Sequence, residues 1–194
     1  MLYKGQIHYP NYPTDSHYDL KRLGYLDLWI FIFSNDCYKY LLYDYSLLAF
    51  INQDEKYSYY YFEGPFLDSF LDDYTDENIN RVIDSYLKDP EELDFTIFKQ
   101  LLTPLRYDFD PQCYHQAHPM SHLHFGYRNN IRVGADRFLT PYAFLLLIIR
   151  QCYPFEWIEL LNDPKFSQWC RDIRDNRFTL PSESLDFLNE LILR

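Results

Sequence analysis

Four of the chain's six histidines lie between His115 and His124, inside the run C-Y-H-Q-A-H-P-M-S-H-L-H-F-G that spans Cys113 to Gly126. Imidazole is the side chain whose ordinary pKa lies near neutrality, so proton transfer or metal ligation is expected here before anywhere else in the chain. His122 and His124 stand at i and i+2. On a strand that spacing puts both rings on one side, about 7 Å apart at the backbone, within reach of a single ion. His118 or His115 from the preceding segment, or Asp108 or Asp110 from a neighbouring strand, would complete a three-ligand site for a divalent metal with one position left open. Such a site makes hydroxide near neutral pH and hydrolyses a phosphodiester or an amide. The same groups also support chemistry without a metal. One histidine acts as general base and another as general acid, Arg106 or Arg132 steadies an anionic phosphoryl group, and Asp108 fixes a tautomer, as in a small RNase or phosphotransferase. Ser121 is a third kind of candidate, a nucleophile, although no glycine-flanked elbow surrounds it. The alternative to all of these is architectural: a hydrogen-bonded polar network that fixes strand register or packs against Pro119 and a long helix.

Period-two alternation must position these groups. In Leu105 to Asp110, Leu105, Tyr107 and Phe109 face one way and Arg106, Asp108 and Asp110 the other; in His122 to Phe125, Leu123 and Phe125 oppose His122 and His124. Asn130 to Gly134 repeats the pattern, with Ile131 and Val133 against Arg132, after a turn at Arg128-Asn129. If the apolar sides share one core, the polar sides share one outer face that gathers Arg106, Asp108, Asp110, His122, His124 and Arg132.

Upstream, Tyr25 to Phe33 is aromatic and β-branched, which predicts a buried strand. Tyr38 to Tyr43, Ser46 to Ile51 and Lys56 to Glu63 predict an antiparallel meander closed by Gly64-Pro65. Short helices are predicted over Pro65 to Tyr74 and Phe95 to Leu102. A better one runs from Thr75 to Leu87, where Ile79, Val82, Ile83 and Tyr86 share a face. Thr140-Pro141 is a capping hydroxyl followed by proline at the first helical position, and it opens a helix to about Tyr153 whose even apolar coverage implies burial on most sides. Helices follow over Phe155 to Leu161, Pro164 to Arg174 and Leu185 to Leu193, the last starting from Ser182 or Ser184. The expectation is an α+β fold, an antiparallel sheet with helices packed on one face and a helical C-terminal part, forming a single domain over residues 1–194.

The formal net charge of −11 is unevenly spread. Residues 1–104 carry 8 Lys/Arg against 18 Asp/Glu, a net of −10, whereas residues 105–194 carry 10 against 11, a net of −1. A surface of that sign repels phosphate backbones, which argues against broad nucleic-acid binding and makes a basic protein partner for the acidic, Tyr-rich first half the natural expectation. Cys37, Cys113, Cys152 and Cys170 form no C-x-x-C pair, so zinc-ribbon and redox motifs are absent and reduced, mostly buried thiols are expected. The longest aliphatic run, Ala143 to Ile149, is far below the ~20 residues of a membrane span, and the N-terminus lacks a signal-peptide core. A cytoplasmic protein is expected. Trp29, Trp157 and Trp169 read as core residues, and Arg171, Arg174 and Arg177 as a solvated helical face.

The ordered blocks Leu105-Arg106-Tyr107-Asp108, His118-Pro119-Met120-Ser121-His122, Arg132-Val133, Leu139-Thr140-Pro141 and Ile148 to Tyr153 resemble a bacterial family known as domain of unknown function 2290. Tyr43 to Leu48 and Tyr59 to Pro65 are similar to its first half. A proline of the family pattern is missing beside Arg132, and Cys152 stands where the pattern has phenylalanine. Carried over by position, the resemblance implies His118, Ser121, His122 and Arg132 as site residues and leaves out His124 and His115. It implies no activity, only a setting beside bacterial defence or toxin genes. Together these readings give two expectations. The first is a defence- or toxin-type, nuclease-like protein acting on RNA, a nucleotide or another phosphoryl substrate through His122, His118, Arg106, Arg132 and Asp108. The second is a non-enzymatic acidic subunit that binds a basic partner.

Overall fold

The computed structural model describes residues 22–71, 76–113, 118–128 and 131–175. The expected helix over Leu185 to Leu193 with its serine caps, the Thr75 cap, Asn129, His115 and Arg177 lie outside them. Six strands form one antiparallel sheet in sequence order: β1 (Tyr40–Leu41), β2 (Leu47–Gln53), β3 (Lys56–Phe62), β4 (Leu105–Phe109), β5 (Ser121–Phe125) and β6 (Arg132–Gly134). With six helices among the described residues, α1 (Tyr25–Ser34), α2 (Asp68–Leu71), α3 (Asp76–Lys88), α4 (Pro141–Cys152), α5 (Pro154–Leu161) and α6 (Pro164–Asp175), the fold is α+β and its C-terminal part is helical. Chain contacts group the described residues into two units, one holding 50–61 and those from 105 on, the other those up to 49 and 62–104.

In the second unit, Tyr25 to Ser34 is a helix and not the expected strand. A short run that is apolar on every side carries no periodicity, so local pattern does not separate a buried strand from a buried helix. Packing decides: Trp29 is fully buried, stacks on Phe33, meets Phe66 edge-on, and donates its indole N–H to the Tyr45 carbonyl at 3.1 Å. The Asp27 carboxylate accepts from the Gly24 N–H at the helix start, 3.2 Å away, and suits the positive end. The predicted helix over Phe95 to Leu102 is also corrected. Only Phe95–Ile97 makes a 3-10 turn, after which Phe98 bridges to Phe66 as extended backbone. Of Tyr38 to Tyr43 only two residues pair as a strand. The turn at Asp44-Tyr45-Ser46 is held by the buried Asp44 carboxylate, which accepts from the Ser46 N–H at 3.1 Å and the Ser46 hydroxyl at 3.0 Å; the Gly64 N–H in turn donates to Ser46 Oγ at 2.8 Å.

In the first unit, Asp54 and Glu55 both have positive φ, 50° and 65°, and turn β2 into β3 as a two-residue hairpin whose twist matches the strands. The apolar side of β3, β4 and β5 presents Tyr59, Tyr61, Leu105, Tyr107 and Leu123, all buried. Helix α4 packs there through Phe144, which meets Tyr59 at 5.7 Å between ring centres, and Tyr153 follows it with a 3.2 Å hydroxyl contact to Tyr61. Thr140 caps α4 as expected, its hydroxyl accepting from the Ala143 N–H at 3.2 Å with Pro141 in the first turn. Its burial is narrower than its composition implied: only Phe144 and Ile148 are fully buried, one turn apart, and Tyr142 is exposed. Trp169 likewise lies at the surface, edge-on to Tyr142, and Trp157 is half-buried; only Trp29 of the three is fully buried.

The Tyr59 hydroxyl is buried without a hydrogen-bond partner among the described residues, and burial raises its pKa well above the ordinary phenol value. An unsatisfied buried hydroxyl costs about 1–3 kcal/mol. Tyr59→Phe is therefore expected to raise stability by about 1 kcal/mol, seen as a thermal midpoint higher by roughly 2–4 °C. A lowered midpoint would show that the hydroxyl has a partner.

Candidate functional site

The polar side of the same strands is built row by row from their register. Tyr60 lies opposite Arg106, Arg106 opposite His124, and His124 opposite Arg132; in the next row Ser58 lies opposite Asp108, Asp108 opposite His122, and His122 opposite Gly134. Directly opposed residues of an antiparallel pair point to the same face. The two rows thus bring Arg106, Asp108, His122, His124 and Arg132 onto one side of the sheet, as alternation predicted.

That side is not the open outer face expected from alternation. His122 is fully buried, His124 is 7% exposed, and the Asp108 side chain only 19%. The segment before β5 folds back over the second row. The His118 ring stands edge-on to His122 at 4.7 Å between centres, and the Pro119 ring lies where a side chain on Gly134 would reach, 3.5 Å from an ideal Cβ. Arg106 is the half-exposed edge of the cluster, and Arg132 is exposed beside it.

The contacts within the cluster are short. The carboxylate of Asp108 accepts from Ser58 Oγ at 2.8 Å, lies 2.8 Å from Arg106 Nε and 3.3 Å from His124 Nε2, and is 3.8 Å from His122 Nε2. The Arg106 terminal nitrogen is 2.8 Å from His124 Nε2. A guanidinium has only protons to offer, so at that distance His124 Nε2 accepts and carries no proton. Burial drives the Asp108 carboxyl upward, but the Arg106 charge and the Ser58 hydroxyl beside it hold its pKa below the ordinary value. Asp108 is therefore ionised at neutral pH.

His122 differs from its neighbour. Its Nδ1 is 2.8 Å from the Pro119 carbonyl oxygen, which can only accept, so Nδ1 carries the proton. Its Nε2 then presents a bare lone pair, buried and without a hydrogen-bond partner among the described residues. Burial first, then the neighbouring His124, lower the His122 pKa to about 4. The ring is neutral at pH 7, the form that accepts a proton or binds a metal and not the form that donates one.

A pH dependence of stability follows. The unfolded imidazole titrates at 6.5 and the folded one at about 4, so between those values the unfolded chain binds the extra proton. The contribution is complete above about pH 6.5 and is lost as pH falls toward 4, by about 3 kcal/mol. Urea unfolding of chelator-treated protein is expected to show this fall between pH 7 and 4.5, and His122→Asn is expected to flatten it. An equal slope in both proteins would assign the loss to other groups.

Asp108, His122 and His124 each offer one ligand atom, and these atoms all lie within 4.8 Å of one another. Two nitrogens and one carboxylate oxygen form a possible metal-binding group of the type that holds Zn²⁺, Mn²⁺ or Fe²⁺ with open positions. The Nδ1–H bond from His122 to a backbone carbonyl is the usual support of a ligating imidazole. Bonds of about 2.1 Å bring ligand atoms to roughly 3–3.5 Å of each other, so a pair at the 4.8 Å limit would have to close by about 1.5 Å.

The other predicted residues separate from this group. Ser121 points to the apolar face, where the Leu139 N–H donates to the Tyr107 hydroxyl at 3.0 Å, Tyr107 donates to Ser121 Oγ at 2.9 Å, and Ser121 donates to the Arg137 carbonyl at 2.8 Å. That relay ties residues 137–139 to the sheet and leaves Ser121 away from the histidines. Asp110 pairs with Lys56 at 2.9 Å and accepts from the Gln112 N–H, apart from the ligand group. Sequence reasoning missed Ser58 and Tyr60; the cross-strand register of β3 was the signal that finds them.

Among known families, the model described as "Uncharacterized conserved protein (DUF2290)" matches residues 2–185. No curated protein and no solved structure matches the chain.

Proposed function

The chain belongs to the DUF2290 family of uncharacterized conserved proteins, a membership that assigns no chemistry, and from its residues we propose a metal-dependent enzyme acting on a phosphodiester or phosphoryl group. The observation that carries this reading is the buried lone pair of His122 Nε2, its ring held by the Pro119 carbonyl and its atom within 4.8 Å of those that Asp108 and His124 contribute. His122, His124 and Asp108 are the ligands of a divalent first-row metal, a cofactor that would supply Lewis acidity and a nucleophile at neutral pH. Ser58 orients Asp108. Arg106 and Arg132 flank His124 in its row, about two strand spacings or ~10 Å apart at the backbone, which suits the negative oxygens of a phosphoryl group. His118 lies against His122 and is the remaining candidate for proton transfer. RNA, a nucleotide or another phosphodiester fits this chemistry; the defence- or toxin-type setting rests on the resemblance alone.

The test is metal analysis of freshly purified protein together with assays on bis(p-nitrophenyl) phosphate, RNA and nucleotides. About one equivalent of zinc, manganese or iron and chelator-sensitive hydrolysis are expected. Oxygen consumption by an iron-loaded protein that hydrolyses none of these substrates would overturn the phosphoryl assignment.

The second reading, an acidic subunit for a basic protein partner, is favoured by one observation. Leu87, Phe95 and Leu101 stand exposed at 63, 55 and 87% in the same stretch of chain as the exposed Asp84, Asp89, Glu91 and Asp94. Apolar anchors within a charged rim are what protein interfaces use. Charge reversals there that abolish activity in cells, with His122→Asn silent, would select this reading.

A further inference from the structure

Two of the three ligand atoms already face a cation supplied by the chain. Arg106 places its terminal nitrogen 2.8 Å from His124 Nε2 and its Nε 2.8 Å from Asp108 Oδ2. A divalent ion bonded to those same atoms would lie within a few ångströms of the guanidinium, where two positive charges repel strongly and where His124 cannot give one lone pair to both. The ligand group as it stands is therefore complete for an arginine and incomplete for a metal.

Arg106 is free to leave in one direction. Its side chain is 40% exposed while His122 and His124 beneath are buried, so it can swing outward without unpacking the sheet. On the far side of His124 in the same row stands Arg132, exposed and without an ion pair among the described residues. An anion seated over His124 would meet both guanidinium groups, and a tetrahedral dianion has enough oxygens for two arginines and a metal.

We infer that Arg106 is a built-in plug of the metal seat, drawn off Asp108 and His124 by the phosphoryl group of the substrate, so that metal and dianion bind together and each strengthens the other. The inference rests on the metal site proposed above. It adds a regulation to that site: metal is held weakly until an anion engages Arg106, which limits chemistry to the loaded state. Because coupling between two ligands is reciprocal, the factor by which the anion tightens the metal equals the factor by which the metal tightens the anion.

The probe is cobalt(II), whose visible absorption reports ligation, titrated into the apo full-length protein in sodium chloride and in sodium sulfate at equal ionic strength. Sulfate stands in for the phosphoryl dianion. In the wild type, cobalt affinity is expected to rise about tenfold in sulfate, and sulfate affinity by the same factor in cobalt. Arg106→Met is expected to bind cobalt tightly in chloride with no further gain in sulfate. Arg132→Met is expected to keep the weak chloride affinity and lose part of the gain. Equal cobalt affinity in the two salts for folded wild type, with the metal bound, overturns the plug and leaves the metal site standing. Absence of cobalt binding in either salt, in wild type and Arg106→Met alike, overturns the metal site itself. The wild-type comparison needs no variant, so a misfolded Arg106→Met does not remove the test.

Discussion

Gly64→Ala is expected to leave little or no folded protein. An ideal Cβ at this position would sit 2.0 Å from the Asp44 carbonyl oxygen, 2.9 Å from the Tyr45 carbonyl carbon and 3.0 Å from the Ser46 nitrogen, all of them backbone atoms that no rotamer change can move aside. Relief requires the 44–46 turn and residue 64 to separate. That separation breaks the 2.8 Å bond from the Gly64 N–H to Ser46 Oγ and exposes or strands the buried Asp44 carboxylate and Ser46 hydroxyl. Overpacking against backbone combined with loss of a buried polar network belongs to the small class of substitutions that cost more than about 4 kcal/mol, comparable to the whole stability of many domains. Gly134→Ala is the matched control, since its Cβ would meet only the Pro119 ring, at 3.5 and 3.6 Å, an ordinary contact. Soluble yield and denaturant midpoint of the two variants give the comparison. A Gly64→Ala midpoint within about 1 kcal/mol of wild type would mean that the close approach does not exist.

His122→Asn is expected to abolish metal binding at modest structural cost. The asparagine amide N–H can occupy the place of Nδ1–H and keep the bond to the Pro119 carbonyl, while nothing replaces Nε2. Loss of a supporting outer residue already costs 10–100-fold in metal affinity, so removal of a ligand should cost at least about 100-fold. The smaller side chain leaves space beneath the His118 ring, a penalty of about 1–2 kcal/mol that unfolding measurements would register separately. If the buried rows were an architectural network only, the result would reverse: the variant would lose stability and keep whatever metal affinity and activity wild type has. Isothermal titration with zinc or manganese, paired with thermal unfolding, separates the two outcomes.

Some of this was legible in residue order. Alternation in Leu105 to Asp110 and in His122 to Phe125 correctly sorted side chains to the two faces, because a strand's period of two needs no tertiary information. Thr140-Pro141 marked the start of α4 for the same reason: a cap and a proline at the first turn act locally. The resemblance to the family was carried by ordered blocks that include Arg106, Asp108, His118 and His122, and the family match over residues 2–185 agrees with it. His124 fell outside the family pattern, yet its Nε2 belongs to the possible ligand group; the i, i+2 spacing was the only signal for it.

Other features depended on partners far away in the chain. Tyr25 to Ser34 became a helix because Trp29 and its neighbours bury on several sides at once, a condition that local pattern does not distinguish from a strand. Phe98 left a helical pattern to bridge to Phe66, thirty-two positions earlier, and Gly64 owes its necessity to the Asp44 carbonyl. The residue types and the alternation of the strands determined which groups share a side of the sheet. Only the tertiary structure decided that this side is covered, that Ser121 turns to the apolar core, and that Arg106 rests on the atoms a metal would need. Burial and charge contact are set by what the rest of the chain lays over a surface, and no local periodicity encodes that.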